Sequence, residues 1–281
     1  MTDEVPVLDP AVFDELRESV GNDDEFIADL VATYVNEGGE HLRLRFHGDP
    51  SVLVTQLLPS IHACFGPLLA QGLCWKLQLD TYEPELERYG GTEGMALAET
   101  IFWRDSEAVL ALIQASPGDA GADLRWRLGL RAVDALLDDM GFDFEAKARV
   151  IHQARENFSR EFMSKGGLDI QLGDKFRKLR KELDACLFAA DSAAAEPGQV
   201  ILGQRRDLLA PCWQRLRSAD SDGRLKAQEL ALSYTHMHLN RLFRSSQRAQ
   251  EFVLYDFLDR LYASRLARSR KQNLMPTTDA A

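Results

Sequence analysis

Three short runs in this 281-residue sequence place polar side chains at spacings that could do chemistry. The first, HLRLRFHG (His41–Gly48), alternates in period two. In an extended strand Leu42, Leu44 and Phe46 face one way, and His41, Arg43 and Arg45 the other. Two guanidiniums on one strand face repel each other unless they meet carboxylates or water. Arg43 and Arg45 are therefore candidates for gripping an anionic ligand bidentately, although exposed strand arginines are common. The second run is TYEPELERYGG (Thr81–Gly91), where Glu85 and Arg88 share a face if the segment coils into a helical turn. The same spacing also serves an ordinary local ion pair. The third is SYTHMHLNRLF (Ser233–Phe243). In a helix, His236, Asn240 and Phe243 share one face, and Leu232, Thr235 and Leu239 lie nearby. His236 and its neighbour His238 are the groups here that gain or lose a proton near neutral pH without a large shift. Standing alone, His236 reads by default as a histidine at a core edge. The spacing of the two histidines suits joint metal binding on a strand better than on a helix, so no metal site is expected.

The elements that must position these runs follow from periodicity and punctuation. Asp9 and Pro10 can open a helix whose stripe is Val12, Phe13, Leu16 and Val20. Asp23 or Asp24 can cap a second, with Phe26, Ile27, Leu30, Val31 and Tyr34 on one face and Gly38–Gly39 as its stop. The strand His41–Gly48 comes next, then helical structure over Val52–Ala70, which Pro59 and Pro67 would kink or split. The run Cys74–Tyr82 (CWKLQLDTY) alternates again and suggests a second strand, joined to the first by a helical crossover. Helices are predicted over Gly94–Ser116, Asp123–Asp139, Phe144–Lys165, Asp174–Ala189, Gln204–Ser218, Leu225–Leu242 and Gln250–Lys271. An exposed loop is predicted at Asp191–Gly198. The fold class is thus α+β, with a small sheet in the N-terminal half and a predominantly helical C-terminal half. Residues 1–37 form an acidic helical segment, 38–271 the main domain and 272–281 a disordered tail.

Composition narrows the function classes. The net charge is −11, and residues 1–40 hold twelve acidic residues against Arg17, so the remainder is nearly neutral. Such a chain has no general attraction for nucleic acid, and Lys175–Lys181 and Arg265–Lys271 read as solvated helix faces. No apolar run approaches the length needed to span a bilayer, and the acidic start is not a secretory signal. A cytoplasmic protein without membrane contact is expected. Cys64, Cys74, Cys186 and Cys212 are scattered, with no C-x-x-C pair, which suits buried thiols rather than zinc.

In order along the chain, HLRLRF, the stretch Asp80–Leu110 (DTYEPELERYGG through AETIFWRDSEAVL) and HMHLNRLF resemble the C-terminal elimination domain of lantibiotic dehydratases, the thiopeptide-type bacteriocin biosynthesis family. The resemblance runs from about Gly38 to about Lys271. It implies a lyase acting on a ribosomal precursor peptide whose Ser or Thr hydroxyls already carry a glutamyl ester. The enzyme removes the Cα proton and expels glutamate, leaving dehydroalanine or dehydrobutyrine. By the same resemblance Arg45, Arg88 and His236 are catalytic, while Arg43, Glu85, Asn240 and Arg241 bind substrate. Arg45, joined by Arg43, and Arg88 would hold the glutamate carboxylates and bear developing charge. Glu85 would orient an arginine or the glutamyl amine, and His236 would carry the proton. No cofactor is implied. A separate glutamyl-tRNA-dependent glutamylation protein is the implied partner, because no glutamylation domain fits in this chain. A homo-oligomer is compatible with the sequence.

Two alternatives stay open. The same family includes enzymes that join two dehydroalanines by a formal [4+2] cycloaddition to build the pyridine ring of thiopeptides, without needing glutamate-binding residues. At the front, the family's aromatic-rich strand W-F-F-I-R-Y is not found before HLRLRF. Leu8–Tyr34 instead resembles the opening helices of a histidine phosphotransfer domain, and the acidic helices could dock a partner or shield a sheet edge. A phosphorelay module needs H-x-x-K-G on a helix. The nearest match is His62-Ala63-Cys64-Phe65-Gly66, with Phe65 in the lysine position.

Overall fold

A computed structural model describes residues 27–35, 39–118, 120–162, 168–188, 196–219, 226–243 and 246–273. The strand predicted from HLRLRF is present as β2, Gly39–His47, and it pairs antiparallel with β1, Ile27–Val35. Asp29 lies opposite Arg45 and Val31 opposite Arg43. The helix expected across Phe26–Tyr34 is therefore corrected to a strand over Ile27–Val35. Its β-branched and aromatic residues (Ile27, Val31, Thr33, Tyr34, Val35) suit a pleated surface, and the neighbouring strand overrides the helical spacing. The acidic segment 1–37 is thus not helical throughout. Its first predicted helix lies outside the described residues, as do 274–281 of the predicted tail. The alternation at Cys74–Tyr82 also misleads, because residues 74–85 form no regular element. Its apolar members face solvent (Trp75 is 79% exposed and Leu79 70%), and among the described residues no strand pairs with it. An alternating pattern fixes a strand only when one face is buried and a ladder partner is at hand. The sheet is reduced to a two-stranded ribbon, and the architecture is predominantly helical.

Between Pro50 and Ala70 the helix runs as α1 (Pro50–Val52), a π-turn (Leu53–Leu57) and α2 (Leu58–Ala70). Asp49 caps it, its carboxylate accepting from the Ser51 and Val52 amides at 2.8 and 3.3 Å. Pro59 lacks an N–H and its ring would press on the preceding turn. The π-turn widens the helix just ahead of it, so the predicted break becomes a local bulge. Leu57, Ile61 and Phe65 pack on Leu44 and Phe46 of β2, which leaves Arg43 and Arg45 on the opposite face. By length and composition alone Pro50–Ala70 would suffice to cross a membrane, contrary to the expectation that no such run exists.

The seven later helices are α4 (Gly91–Ala115), α5 (Ala122–Asp139), α6 (Phe144–Phe162), α7 (Leu168–Phe188), α8 (Glu196–Ala219), α9 (Ala227–Leu242) and α10 (Gln247–Asn273), preceded by the single turn α3 (Leu86–Tyr89). All seven were expected, but α8 begins well ahead of Gln204. Pro197 sits in its first turn, where a missing N–H costs nothing, so the end of the predicted loop Asp191–Gly198 belongs to a helix. The main core joins α4 through α10, with Leu112, Leu130, Val133, Leu137, Ile151 and Phe257 fully enclosed. Strand β1 runs against α4 and α9, which sets the ribbon beside the helices that carry the site.

Candidate active site

The site is built where α3 and the glycine turn after it meet α6, α9 and α10. Gly90 ends α3 with φ 88° and Gly91 opens α4 with φ 85°, a left-handed pair that side chains rarely allow. Gly94 comes so close to the Tyr89 carbonyl that an added Cβ would lie 1.8 Å from its oxygen. The ERYGGTEG sequence thereby clamps one short turn against the start of α4, and Tyr89 is locked in an aromatic cluster with Phe102 and Tyr234 at centroid distances of 5.4 and 5.7 Å. Burial pushes the Tyr89 phenol up to about 12, so at neutral pH it remains protonated.

Arg88 and Tyr89 then line a cavity of about 190 Å³ together with Asn157 and Phe158 of α6, Ser233, His236 and Met237 of α9, and Glu251 and Tyr255 of α10. The predicted pair forms: Arg88 Nη1 donates to Glu85 Oε2 at 2.6 Å. Both side chains are more than half exposed, so the pair is worth no more than about 1 kcal/mol and leaves Arg88 available for another carboxylate. His236 is partly exposed, and its Nδ1 lies 3.0 and 2.9 Å from the two oxygens of Glu251, which is 1% exposed. The Tyr255 hydroxyl donates to Glu251 Oε1 at 2.8 Å.

The remaining predicted residues divide. Arg45 is partly buried and its guanidinium lies 5.4 Å from the centre of the Tyr82 ring, on the segment that leads into Glu85 and Arg88. Arg43 is exposed on the same strand face. Neither lines the cavity. Asn240 and Arg241 are buried, and neither lines the cavity. The Asn240 backbone carbonyl accepts from Gln247 Nε2 at 2.7 Å, and Arg241 Nη1 donates to Asp105 Oδ2 at 3.1 Å. His238 also faces away from its neighbour, its Nδ1 3.0 Å from Asp105. The two histidines thus serve different carboxylates. Among the described residues no group of three or more His, Cys, Asp or Glu is placed to hold a metal ion. His62 is exposed on α2.

Sequence reasoning missed Glu251 and Tyr255. Their signal was present: in QEFVLYDFLDRLY both lie on one helical stripe with Leu258 and Tyr262, so a carboxylate sits in an otherwise buried row.

A sequence model of the family described as lantibiotic biosynthesis dehydratase C-term matches residues 32–262. The subtilin biosynthesis protein SpaB of Bacillus subtilis is 24% identical over 225 residues, which cover 80% of this chain and 21% of SpaB. The crystal structure of the tRNA dependent lantibiotic dehydratase MibB from Microbispora sp. 107891 superposes with a TM-score of 0.68 at 24% identity, over 95% of this chain and 27% of MibB. That of TsrL does so with a TM-score of 0.60 at 21% identity, over 92% of both chains. The chain thus spans about a fifth of SpaB and about a quarter of MibB, and the two structural likenesses establish a shared fold.

Proposed function

We propose that this chain, which belongs to the lantibiotic biosynthesis dehydratase C-terminal family, eliminates glutamate from glutamylated Ser or Thr of a ribosomal precursor peptide. The observation that carries the reading is that Arg88 and His236, remote in sequence, line one cavity. Elimination needs a base for a weakly acidic Cα proton and cations for the departing carboxylate. His236 is the proton carrier. Arg88, oriented by Glu85, receives the glutamate carboxylate in a bidentate grip. Arg45, held over Tyr82, and Arg43 add positive charge on the approach to that turn. The partners are the precursor peptide and a glutamyl-tRNA-dependent activity that installs the ester, and the elimination chemistry itself calls for no redox or electron-sink cofactor.

The test uses purified protein and a synthetic peptide bearing a glutamyl ester on serine, followed by mass spectrometry. Wild type should release glutamic acid, and Arg88→Ala and His236→Ala should not. Normal elimination by His236→Ala would remove that residue from the mechanism. No elimination by folded wild-type protein would move the assignment to pyridine formation, assayed on a dehydroalanine-rich peptide.

A further inference from the structure

We propose that Glu251 and Tyr255 are positioning residues for His236: a buried carboxylate, oriented by a buried phenol, decides which imidazole nitrogen carries the proton. The proposal rests on the reading of His236 as the proton carrier. Glu251 is 1% exposed, and among the described residues its polar partners are His236 Nδ1 and the Tyr255 hydroxyl. A carboxylate buried without compensation is costly, and a leucine or methionine would fill the same volume without that cost. Placed here, it spans from α10 to α9 and meets the one ring nitrogen that the cavity does not need.

A carboxylate accepts and does not donate, so it selects the tautomer with hydrogen on Nδ1 and the lone pair on Nε2. Tyr255 makes that selection robust. Burial, with Glu251 beside it, pushes the phenol well above its ordinary range, so it stays a donor. It takes Oε1 at 2.8 Å and fixes the rotation of the carboxylate. Thr235 Oγ1 lies 3.3 Å from the phenol oxygen, which braces Tyr255 from α9 as well. In the reaction Nε2 takes the Cα proton, and the C–H electron pair passes through the enolate into the Cα–Cβ double bond. The Cβ–O bond breaks with its electron pair on the departing glutamate carboxylate. The imidazolium formed keeps Glu251 against its Nδ1–H, then returns the Nε2 proton to water.

The experiment uses the full chain, with ¹⁵N-labelled histidine, as wild type, Glu251→Gln, Tyr255→Phe and His236→Ala. Imidazole ¹⁵N shifts report the tautomer. Wild-type His236, identified by the signal missing in His236→Ala, should show Nδ1–H. In Glu251→Gln the carbonyl oxygen is held by Tyr255 and the amide NH₂ faces Nδ1, so the signal should change to Nε2–H. With glutamylated peptide, kcat of Glu251→Gln should fall by about 10²-fold or more while KM stays near wild type. Tyr255→Phe should fall less and show a mixture of tautomers. A folded Glu251→Gln protein that keeps Nδ1–H, or keeps wild-type kcat, overturns the proposal. If wild type eliminates nothing, the functional reading fails, and the tautomer change alone still decides whether Glu251 sets the ring.

Discussion

Replacing Asp105 with asparagine should remove about 3–5 kcal/mol of folding stability, the range for breaking a buried ion pair by deleting one partner. Asp105 on α4 is 3% exposed. It accepts from His238 Nδ1 at 3.0 Å, Arg241 Nη1 at 3.1 Å and Arg205 Nη1 at 3.1 Å, which joins α4, α9 and α8 at one point. The amide keeps the shape but deletes the negative charge that two guanidiniums and an imidazole share. Arg205 would retain the Ala132 carbonyl at 3.1 Å and Asp139 at 3.5 Å, and Arg241 the Phe102 ring at 4.9 Å, so the loss falls short of leaving both guanidiniums without a partner. The effect also has a pH signature. Burial alone would raise the Asp105 carboxyl, but His238, Arg205 and Arg241 outweigh it and hold the group well below the usual carboxylate range. The unfolded chain then binds more protons than the folded one below about pH 4, so the stabilisation is complete above that pH and drains away as pH falls further. Urea unfolding at about pH 7 should show the full gap between wild type and Asp105→Asn, and the gap should narrow below about pH 4. A gap under about 1 kcal/mol at neutral pH, with an unchanged denaturant slope, would refute the reasoning.

Gly94→Ala should cost at least about 1–3 kcal/mol and lower elimination as well, because its new methyl would collide with the Tyr89 carbonyl that holds α3 in place. Thermal melting and activity should fall together, and an unchanged melting temperature would contradict the clamp. Leu112→Ala, at a fully buried core position, should cost about 2–5 kcal/mol in denaturant unfolding. Trp75→Ser should change stability by less than about 0.5 kcal/mol, since its side chain is 79% exposed. Arg88→Lys should leave stability within about 1 kcal/mol of wild type, because its pair with Glu85 is exposed. In steady-state kinetics the same variant should raise KM for the glutamylated peptide, since a lysine loses the two-point grip on a carboxylate.

What the sequence disclosed depended on whether a pattern had one physical meaning. Period-two alternation placed β2 correctly because Leu44 and Phe46 have Ile61 and Phe65 to pack on. The same alternation at Leu73, Trp75, Leu77 and Leu79 has no such surface, and all four are at least 40% exposed. Ile27–Val35 carries both a helical stripe and strand-favouring residues, and a long-range partner decided between them. At the site, Glu85 and Arg88 were legible because they are three residues apart, and their ion pair is local. The seating of His236 on Glu251 was not, because the stripe that turns Glu251 inward does not tell which side chain of another helix meets it. Arg241 misled for the same reason: its sequence neighbour His236 faces the cavity, while its own partner Asp105 lies on another helix.

The most direct measurement is a single-turnover reaction of wild-type protein with a serine-glutamylated peptide, read by mass alongside His236→Ala. The account predicts that wild type converts the peptide to its dehydroalanine form with loss of one glutamic acid, and that His236→Ala leaves the ester intact. Equal conversion by both proteins, or none by folded wild type, would contradict it.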